Sequence, residues 1–559
     1  MPGITGLSAP AAASRLAAME RELYPAPGLR REEAQAGESF ACAVHARRDA
    51  SGVLERNGLL LAFDGYAVDP APAGPALLDW LLDGFLERGP AVFETLNGSF
   101  QAVVHDRGET WLFADPTASR RLFYTAGEQG LFFAPEVAPL AGLGKGDWID
   151  RANLVQFLMS GRFFAGQTLL PWVRQLLPGE SLRWRGGRHE RRRHFLYETA
   201  AEPTAERPEA LDELGSLLER AVLRAWERSD HPVVLLSGGY DSRYILHVLA
   251  RRAAASGPLA SVLWGQRMEE PGTDNAAACE VARRAGARHL SLPWQTETLG
   301  EQFEEMFLAQ SGMTETVFTH SDELAILSSL AERGFRSVFR GDECFGPVGG
   351  EVGCPRTALA RVSMAQAADV PGSGRWLVDG GADWLAAHDE ALEALLAEAP
   401  GDPSDLRDTL YGRERLPAML HHLNYHKLHF VEMVNPFLDA DVLRFWSALP
   451  RGCRVDKTLL RESYHTHIGD HRDVPIATGG NGPDWIAALR RCPALAAWVR
   501  ESLSSLPEPL DRDWFLGRLD AVLHGDPEPP APQAAHCIPA FKQVARAMVL
   551  GRWLQTWAG

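Results

Sequence analysis

Two hydrophobic rhythms divide the chain. Between Phe40 and Glu136, short apolar runs (FACAVHA, LLLAFDGYAV, GSFQAVVHD, TWLFADP, RLFYTA, GLFFAPE) alternate with Gly, Asp and Pro turns, which predicts antiparallel sheets. Stretches with helical spacing, PALLDWLLDGFLERG and ANLVQFLMSG, interrupt them, so the N-terminal third reads as an α+β layered domain. LYETAAEPTAERPEA is polar, contains prolines and lacks an apolar period, as a linker does. We place the boundary there, with residues 1–200 as one domain and 201–559 as the other. Strands then alternate with helices: PVVLLSGG before a helix from Asp241, LASVLWG before a helix around Asn275 to Ala285, and RSVFRGDE after another. That order predicts an α/β doubly wound parallel sheet, whose ligands sit outside the carboxyl ends of its strands. Residues 347–380, beginning PVGGEVGCPRTALAR, set turn formers around a weak helix and read equally as a mobile lid or an insertion. The tail from about Ala382 is mostly helical, and no internal repeat is visible.

A length of 559 residues exceeds one comfortable core and agrees with two domains. Lys+Arg 56 against Asp+Glu 73 gives a formal charge of -17, which argues against a nucleic-acid backbone as the main partner. The one basic run, RWRGGRHERRRHF, carries a Gly-Gly pair and reads as a solvated hairpin turn rather than a phosphate-binding patch. Seven dispersed cysteines without a C-x-x-C pair argue against both a disulfide framework and a cysteine zinc site and predict reduced thiols. No apolar run reaches bilayer length and no basic leader precedes one, so the expectation is a soluble cytoplasmic protein with no membrane partner.

The chemistry concentrates in LLSGGYDSR, Leu235 to Arg243. VVLL is a buried-strand run, and Ile245, Leu246, Val248 and Leu249 have the spacing of a packed helix, so the glycines lie in a strand-to-helix turn. Gly238 and Gly239, lacking Cβ, are expected to adopt strained backbone angles and let the backbone approach a ligand. The helix start offers N–H groups to an anion. Ser237 and Ser242 add hydroxyls. This is a phosphate cradle without a Walker lysine, and Mg²⁺ held by Asp241 is the natural counter-charge.

SGGYDS resembles the pyrophosphate loop of ATP-pyrophosphatase (PP-loop) enzymes, and the chain as a whole resembles the asparagine synthetase family. FRGDECFG is similar to that family's second acidic motif, which implies that Asp342 and Glu343 join Asp241, with Asp241 and Asp342 as the metal ligands. VEMVNPFLDADV and LPRGCRVDKTLLRE resemble the helical part of the synthetase domain. The resemblance implies catalytic roles for Lys457, Asp241 and Glu432. It implies an ATP site of Leu235, Ser237, Gly238, Gly239, Asp241, Ser242, Trp264, Gly341, Asp342 and Lys457, with Leu235 and Trp264 flanking the adenine. In the family a carboxylate attacks the α-phosphate of ATP, pyrophosphate leaves, and an amine attacks the acyl-adenylate.

The N-terminal third is similar to the family's glutaminase domain, an Ntn-hydrolase-like fold, in LAFDGYAVD, LNGSFQAVVHD and LFADPTASRRLFY. That domain uses a cysteine after the initiator Met. Here the chain begins MPGITG, no cysteine precedes Cys42, and Asp64 stands at the usual asparagine position. Glutamine hydrolysis is therefore not expected, and the amine must come from the substrate. Two family branches close such an amide: lasso-peptide cyclases, the reading favoured here, and β-lactam synthetases. The partners implied are a precursor peptide or a small amino-acid-derived substrate, with a leader peptidase and a leader-recognition protein. A synthetase using free ammonia and a non-catalytic binding protein retaining the fold are the alternatives; the intact SGGYDS, GDE and DK set argues against the latter.

His422, His426 and His429 share a helical face and no fourth metal ligand is apparent nearby, so they read as packed or pocket-lining residues. His465 to His467 carry no stronger signal. Trp264, Trp294 and Trp376 read more readily as core than as binding platforms.

Overall fold

The computed structural model describes residues 2–68, 70–144, 149–195, 197, 207–253, 259–266, 268, 270–294, 302–317, 323–342, 352–370, 372–397, 402–468, 473–477, 484–525 and 540–557. Seventeen strands are formed by these residues: β1 (Gly3–Ser8), β2 (Arg30–Ala36), β3 (Phe40–Ala46), β4 (Gly52–Arg56), β5 (Leu59–Ala67), β6 (Gly98–Asp106), β7 (Glu109–Ala114), β8 (Phe123–Gly127), β9 (Gly130–Ala134), β10 (Arg174–Gln175), β11 (Glu180–Arg185), β12 (Arg188–Arg193), β13 (Pro232–Leu235), β14 (Ala260–Gly265), β15 (Arg288–Pro293), β16 (Ser337–Phe339) and β17 (Glu432–Val434).

The first twelve build two six-stranded antiparallel sheets, in the orders β10-β8-β9-β1-β3-β2 and β12-β11-β7-β6-β5-β4. Their alternation sorts side chains into layers. On β3, Phe40, Cys42 and Val44 face the other sheet with Leu60, Ala62 and Val103, while Ala41 and Ala43 face the helix Ala12–Arg21 through Leu16. Leu59, Leu61 and Phe63 of β5 pack on the helix Ala76–Arg88. Both faces of each central strand are thus covered, which is why these runs are apolar almost throughout instead of alternating with polar residues. The outer face of the first sheet shares one core with the C-terminal helices, where Leu7 and Phe132 join Trp485, Val499, Leu519 and Trp553.

The third sheet is parallel throughout, in the order β15-β14-β13-β16-β17. The chain runs outward from β13 through β14 to β15, then returns to lay β16 on the other side of β13. Part of the segment read as linker is helical, since the helix Arg207–Glu227 begins within it. From Val352 onward the segment read as lid or insertion is packed: Ala358, Leu359, Val362 and Met364 are buried with Leu392 and Leu406. Residues 343–351 lie outside the described set. The basic run forms the expected hairpin, turning at Gly186 and Gly187 between β11 and β12. No helix among the described residues is long and apolar enough to cross a membrane.

Candidate functional site

The reversal of strand order creates the site. β13 and β16 are adjacent and parallel, with Val234 opposite Phe339, so the turns leaving their carboxyl ends lie side by side. One turn is Leu236–Gly239, running into the helix Tyr240–Ala253; the other carries Gly341 and Asp342. A crevice at such a reversal is where open α/β sheets bind ligands. The two turns touch: a Cβ on Gly341 would lie 2.7 Å from Cβ of Asp241 and 2.9 Å from the Ser242 nitrogen. Glycine at 341 is what lets two acids more than a hundred residues apart in sequence share one spot.

The loop is tightly organised. Ser242 Oγ accepts from the Ser237 N–H at 3.0 Å and meets Ser237 Oγ at 2.9 Å, and the Gly239 N–H donates to Ser237 Oγ at 3.2 Å. The Gly238 N–H donates to Asp274 Oδ1 at 2.8 Å. The expectation that Gly238 and Gly239 adopt strained angles is corrected: neither has a positive φ. Gly238 is required for close approach, because a Cβ there would meet Cβ of Ala477 at 2.4 Å. Arg243, fully buried, holds that neighbouring segment with bonds to the carbonyls of Val474 (2.7 Å), Pro475 (2.6 Å) and Gly238 (3.0 Å).

Asp241 is half-buried. Its Oδ2 accepts from Lys457 Nζ at 3.3 Å, while its buried Oδ1 has no hydrogen-bond partner. Burial pushes this carboxyl up and the neighbouring Asp342 adds to the rise, against the downward pull of Lys457. Two nearby carboxylates, one with an orphaned oxygen, beside a loop suited to phosphate, are a donor set that fits Mg²⁺; it binds through one or two carboxylates and completes its shell with phosphate oxygens and water. Among the described residues no cluster of three or more His, Cys, Asp or Glu is placed to hold a metal. Glu343 lies outside the described residues. Lys457 and the preceding Asp456 both adopt left-handed backbone conformations, at φ 56 and 54. For side-chain-bearing residues this costs about 1–2 kcal/mol each, a strain of the kind stored at working sites.

Behind Asp342 lies a buried polar chain not anticipated from the sequence. Asn424 Nδ2 donates to Asp342 Oδ2 at 2.7 Å, and Arg340 donates to Oδ1 at 3.0 Å. Asn424 Oδ1 is 3.4 Å from Lys427 Nζ, which pairs with Glu323 at 3.1 Å. Glu323 also binds His426 at 2.8 Å and the Trp264 indole N–H at 2.8 Å. Burial pushes the Lys427 ammonium down to about 8, against the opposing pull of Glu323. Asn424 and Lys427 sit among the histidines of HHLNYHKLHF, and nothing in the pattern distinguishes them from core-facing polar residues.

Other anticipated residues separate. Leu235 ends β13, half-buried beside the loop. Trp264 lies in the core with Val233, Val262 and Leu327, its N–H committed to Glu323, so the expectation that it flanks adenine is corrected by burial. Glu432 does not join Asp241 and Lys457. It pairs with Ser337 at the amino end of the parallel sheet, and its carboxylate binds Arg48 at 3.0 Å and Arg120. Arg120 in turn holds Asp64 at 2.6 Å, and all three side chains are buried. Glu432 therefore bridges the parallel sheet to the N-terminal sheets through Oε2, at the end of the sheet opposite the Ser237–Gly239 turn. His422, His426 and His429 are buried with different partners, Gln175, Glu323 and the Ala309 carbonyl.

Residues 213–471 match the family model described as asparagine synthase. No curated protein matches the chain. Solved structures that resemble it include one titled as the allosteric regulatory enzyme of purine biosynthesis, at 13% identity over 52% of this chain and 80% of that one, with a TM-score of 0.26. Another is the glutamine phosphoribosylpyrophosphate amidotransferase of B. subtilis complexed with ADP and GMP, at 12% identity over 52% and 81%, with a TM-score of 0.24. At those TM-scores the likeness carries no argument. The matched domain is that of an ATP-dependent carbon–nitrogen ligase, asparagine-synthetase-like and forming AMP and pyrophosphate.

Proposed function

We propose that the chain activates a carboxylate as its adenylate and closes an intramolecular amide with an amine on the same molecule, most specifically a macrolactam between a peptide N-terminus and an Asp or Glu side chain. The meeting of Asp241, Asp342 and Lys457 at the strand reversal carries this reading. The substrate carboxylate oxygen bonds to the α-phosphorus of ATP as the α–β bridge breaks and pyrophosphate leaves. The amine then bonds to the carbonyl carbon, loses a proton, and AMP departs. Bound Mg²⁺ would neutralise charge building on the pyrophosphate. The first turn of the helix Tyr240–Ala253 offers its N–H groups to phosphate oxygens, and Lys457 supplies positive charge at the reacting centre. Joining two ends of one molecule suits a site that need only hold them together, since well-oriented intramolecular pairs reach effective molarities of roughly 10⁵ M.

Two residues support a substrate-borne amine. Pro2 offers no thiol, and the Asp64 carboxylate is bound by Arg120 and by Ser51 Oγ at 3.2 Å. Incubation with ATP, Mg²⁺ and a precursor peptide whose leader has been removed should yield AMP, pyrophosphate and a product lighter by one water. ADP in place of AMP would sink the adenylation step. AMP with a small amino-acid substrate alone would favour the β-lactam reading, and turnover only with added ammonium the synthetase reading.

A further inference from the structure

The arginine-rich hairpin takes no part in adenylation, yet its geometry is that of a receptor. β12 is the outer edge of its sheet, and its residues are exposed almost throughout. Its register sets Arg193 opposite Glu180, and the His194 N–H donates to the Gly179 carbonyl at 2.8 Å. Antiparallel alternation then turns the N–H and C=O of Arg188, Glu190 and Arg192 toward β11, and those of His189, Arg191 and Arg193 away from the sheet.

Those same three outward residues line a cleft whose facing wall is the edge of the other sheet, with Tyr124, Trp172 and Arg174. Charges that merely guard an exposed edge against pairing splay into water. Here Arg191 and Arg193 converge with Arg174 from a different sheet. Among the described residues neither Arg174 nor Arg193 forms an ion pair, and burial pushes the Arg174 guanidinium's pKa down. The cleft's two acids are already engaged. Glu180 accepts from the Leu177 N–H at 3.0 Å and pairs with Arg191 at 3.4 Å; Glu414 accepts from the Ala165 N–H at 2.6 Å, and burial pushes its carboxyl up. In a chain of net charge -17 this concave patch is cationic.

We propose that the cleft binds an extended acidic peptide segment, which adds as a strand along β12 and sets its carboxylates against Arg174, Arg191 and Arg193. Edge addition supplies main-chain hydrogen bonds, and alternate side-chain contacts supply selectivity. A peptide answers the outward N–H and C=O groups of β12, which a nucleic-acid backbone leaves unpaired. None of the cleft residues belongs to the phosphate loop, so binding is measurable without ATP and stands apart from the proposed reaction.

The test is fluorescence anisotropy of the full chain with a labelled decapeptide of alternating Thr and Glu, against its Thr–Gln counterpart and a single-stranded oligonucleotide. The acidic peptide should bind at least about tenfold more tightly than the neutral one and weaken as salt rises. Arg193→Glu, and independently Arg174→Gln, should each weaken it several-fold with unchanged melting temperature. His189→Pro removes an outward N–H that β11 does not use, and should weaken the peptide while sparing the sheet. Equal binding of both peptides, indifference to the arginine substitutions, or tighter binding of the oligonucleotide would overturn the proposal.

Discussion

Asn424 Nδ2 donates to Asp342 Oδ2 at 2.7 Å, so the acid emerging from one strand end is aimed by a side chain 82 residues further along the chain. Lys427 and Glu323 steady Asn424 from behind. Removing the amide should leave Asp342 present but free to rotate. A hydrogen bond to a charged group contributes about 1.5–3 kcal/mol, so Asn424→Ala should raise the Mg²⁺ concentration needed for half-maximal ATP–pyrophosphate exchange by roughly tenfold or more. A Mg²⁺ titration of exchange rate at saturating ATP checks this, and an unchanged midpoint contradicts it.

Gly341→Ala places a methyl where Asp241 and the Ser242 nitrogen already stand. Backbone cannot yield cheaply, so the two acids must part. Displacements near 1 Å in an active site cost on the order of 10²-fold, and exchange should fall by about that much. Circular dichroism should remain that of the parent.

Lys457→Met should lower turnover by about 10²–10³-fold, the usual cost of removing one fixed group that stabilises transition-state charge. It also leaves Asp241 without the ammonium that favours its ionised form, while burial and Asp342 both oppose ionisation. The acidic limb of the exchange-rate profile should consequently move to higher pH. A limb that stays put would separate Lys457 from Asp241.

Arg120 is buried between Asp64 and Glu432. Arg120→Met strands Asp64 and leaves Glu432 with Arg48 alone, and should destabilise the chain by about 3–5 kcal/mol, read from chemical denaturation. Burial alone would push the Glu432 carboxyl up, but Arg120 and Arg48 outweigh it and hold it at about 2. An unfolded glutamate titrates near about 4.3. The folded pKa is depressed, so this stabilisation is complete above the unfolded value and is lost as pH falls from there toward 2. In Arg120→Met that acid-side slope should shrink.

Pro2→Cys restores a thiol but leaves Asp64 bound to Arg120 and Ser51. Glutamate release from glutamine should therefore stay at background in this variant. Measurable release would mean that the loss of the thiol alone separates this chain from glutamine hydrolysis.

Much of the fold is legible in local pattern. FACAVHA and LLLAFDGYAV form strands because short continuous apolar runs bounded by turn residues mark strands covered on both faces, and PALLDWLLDGFLERG a helix because its apolar positions recur at the 3.6 period. SGGYDS sits where a strand run meets a helical one, so the strand-to-helix turn and the position of Asp241 follow from residues within a dozen positions of each other. Trp264 and Glu432 show the limit. An indole near a strand end reads alike whether it faces the crevice or the core beneath, and a glutamate beginning a strand reads alike whichever end of the sheet it occupies.

By itself the sequence determined the glycine turn between strand and helix, the acid that follows it, the strand–helix alternation behind it and a proline at position 2, because each is a matter of residue type and short spacing. Only the tertiary structure decided that β16 returns to lie beside β13, which brings Gly341 against Asp241. It alone also set Asn424 on Asp342, consigned Glu432 to Arg48 and Arg120, and gathered Arg174 with Arg191 and Arg193. Those relationships depend on which strands become neighbours and which faces turn inward. Such choices are made by burial of whole layers, where no single residue's spacing records the outcome.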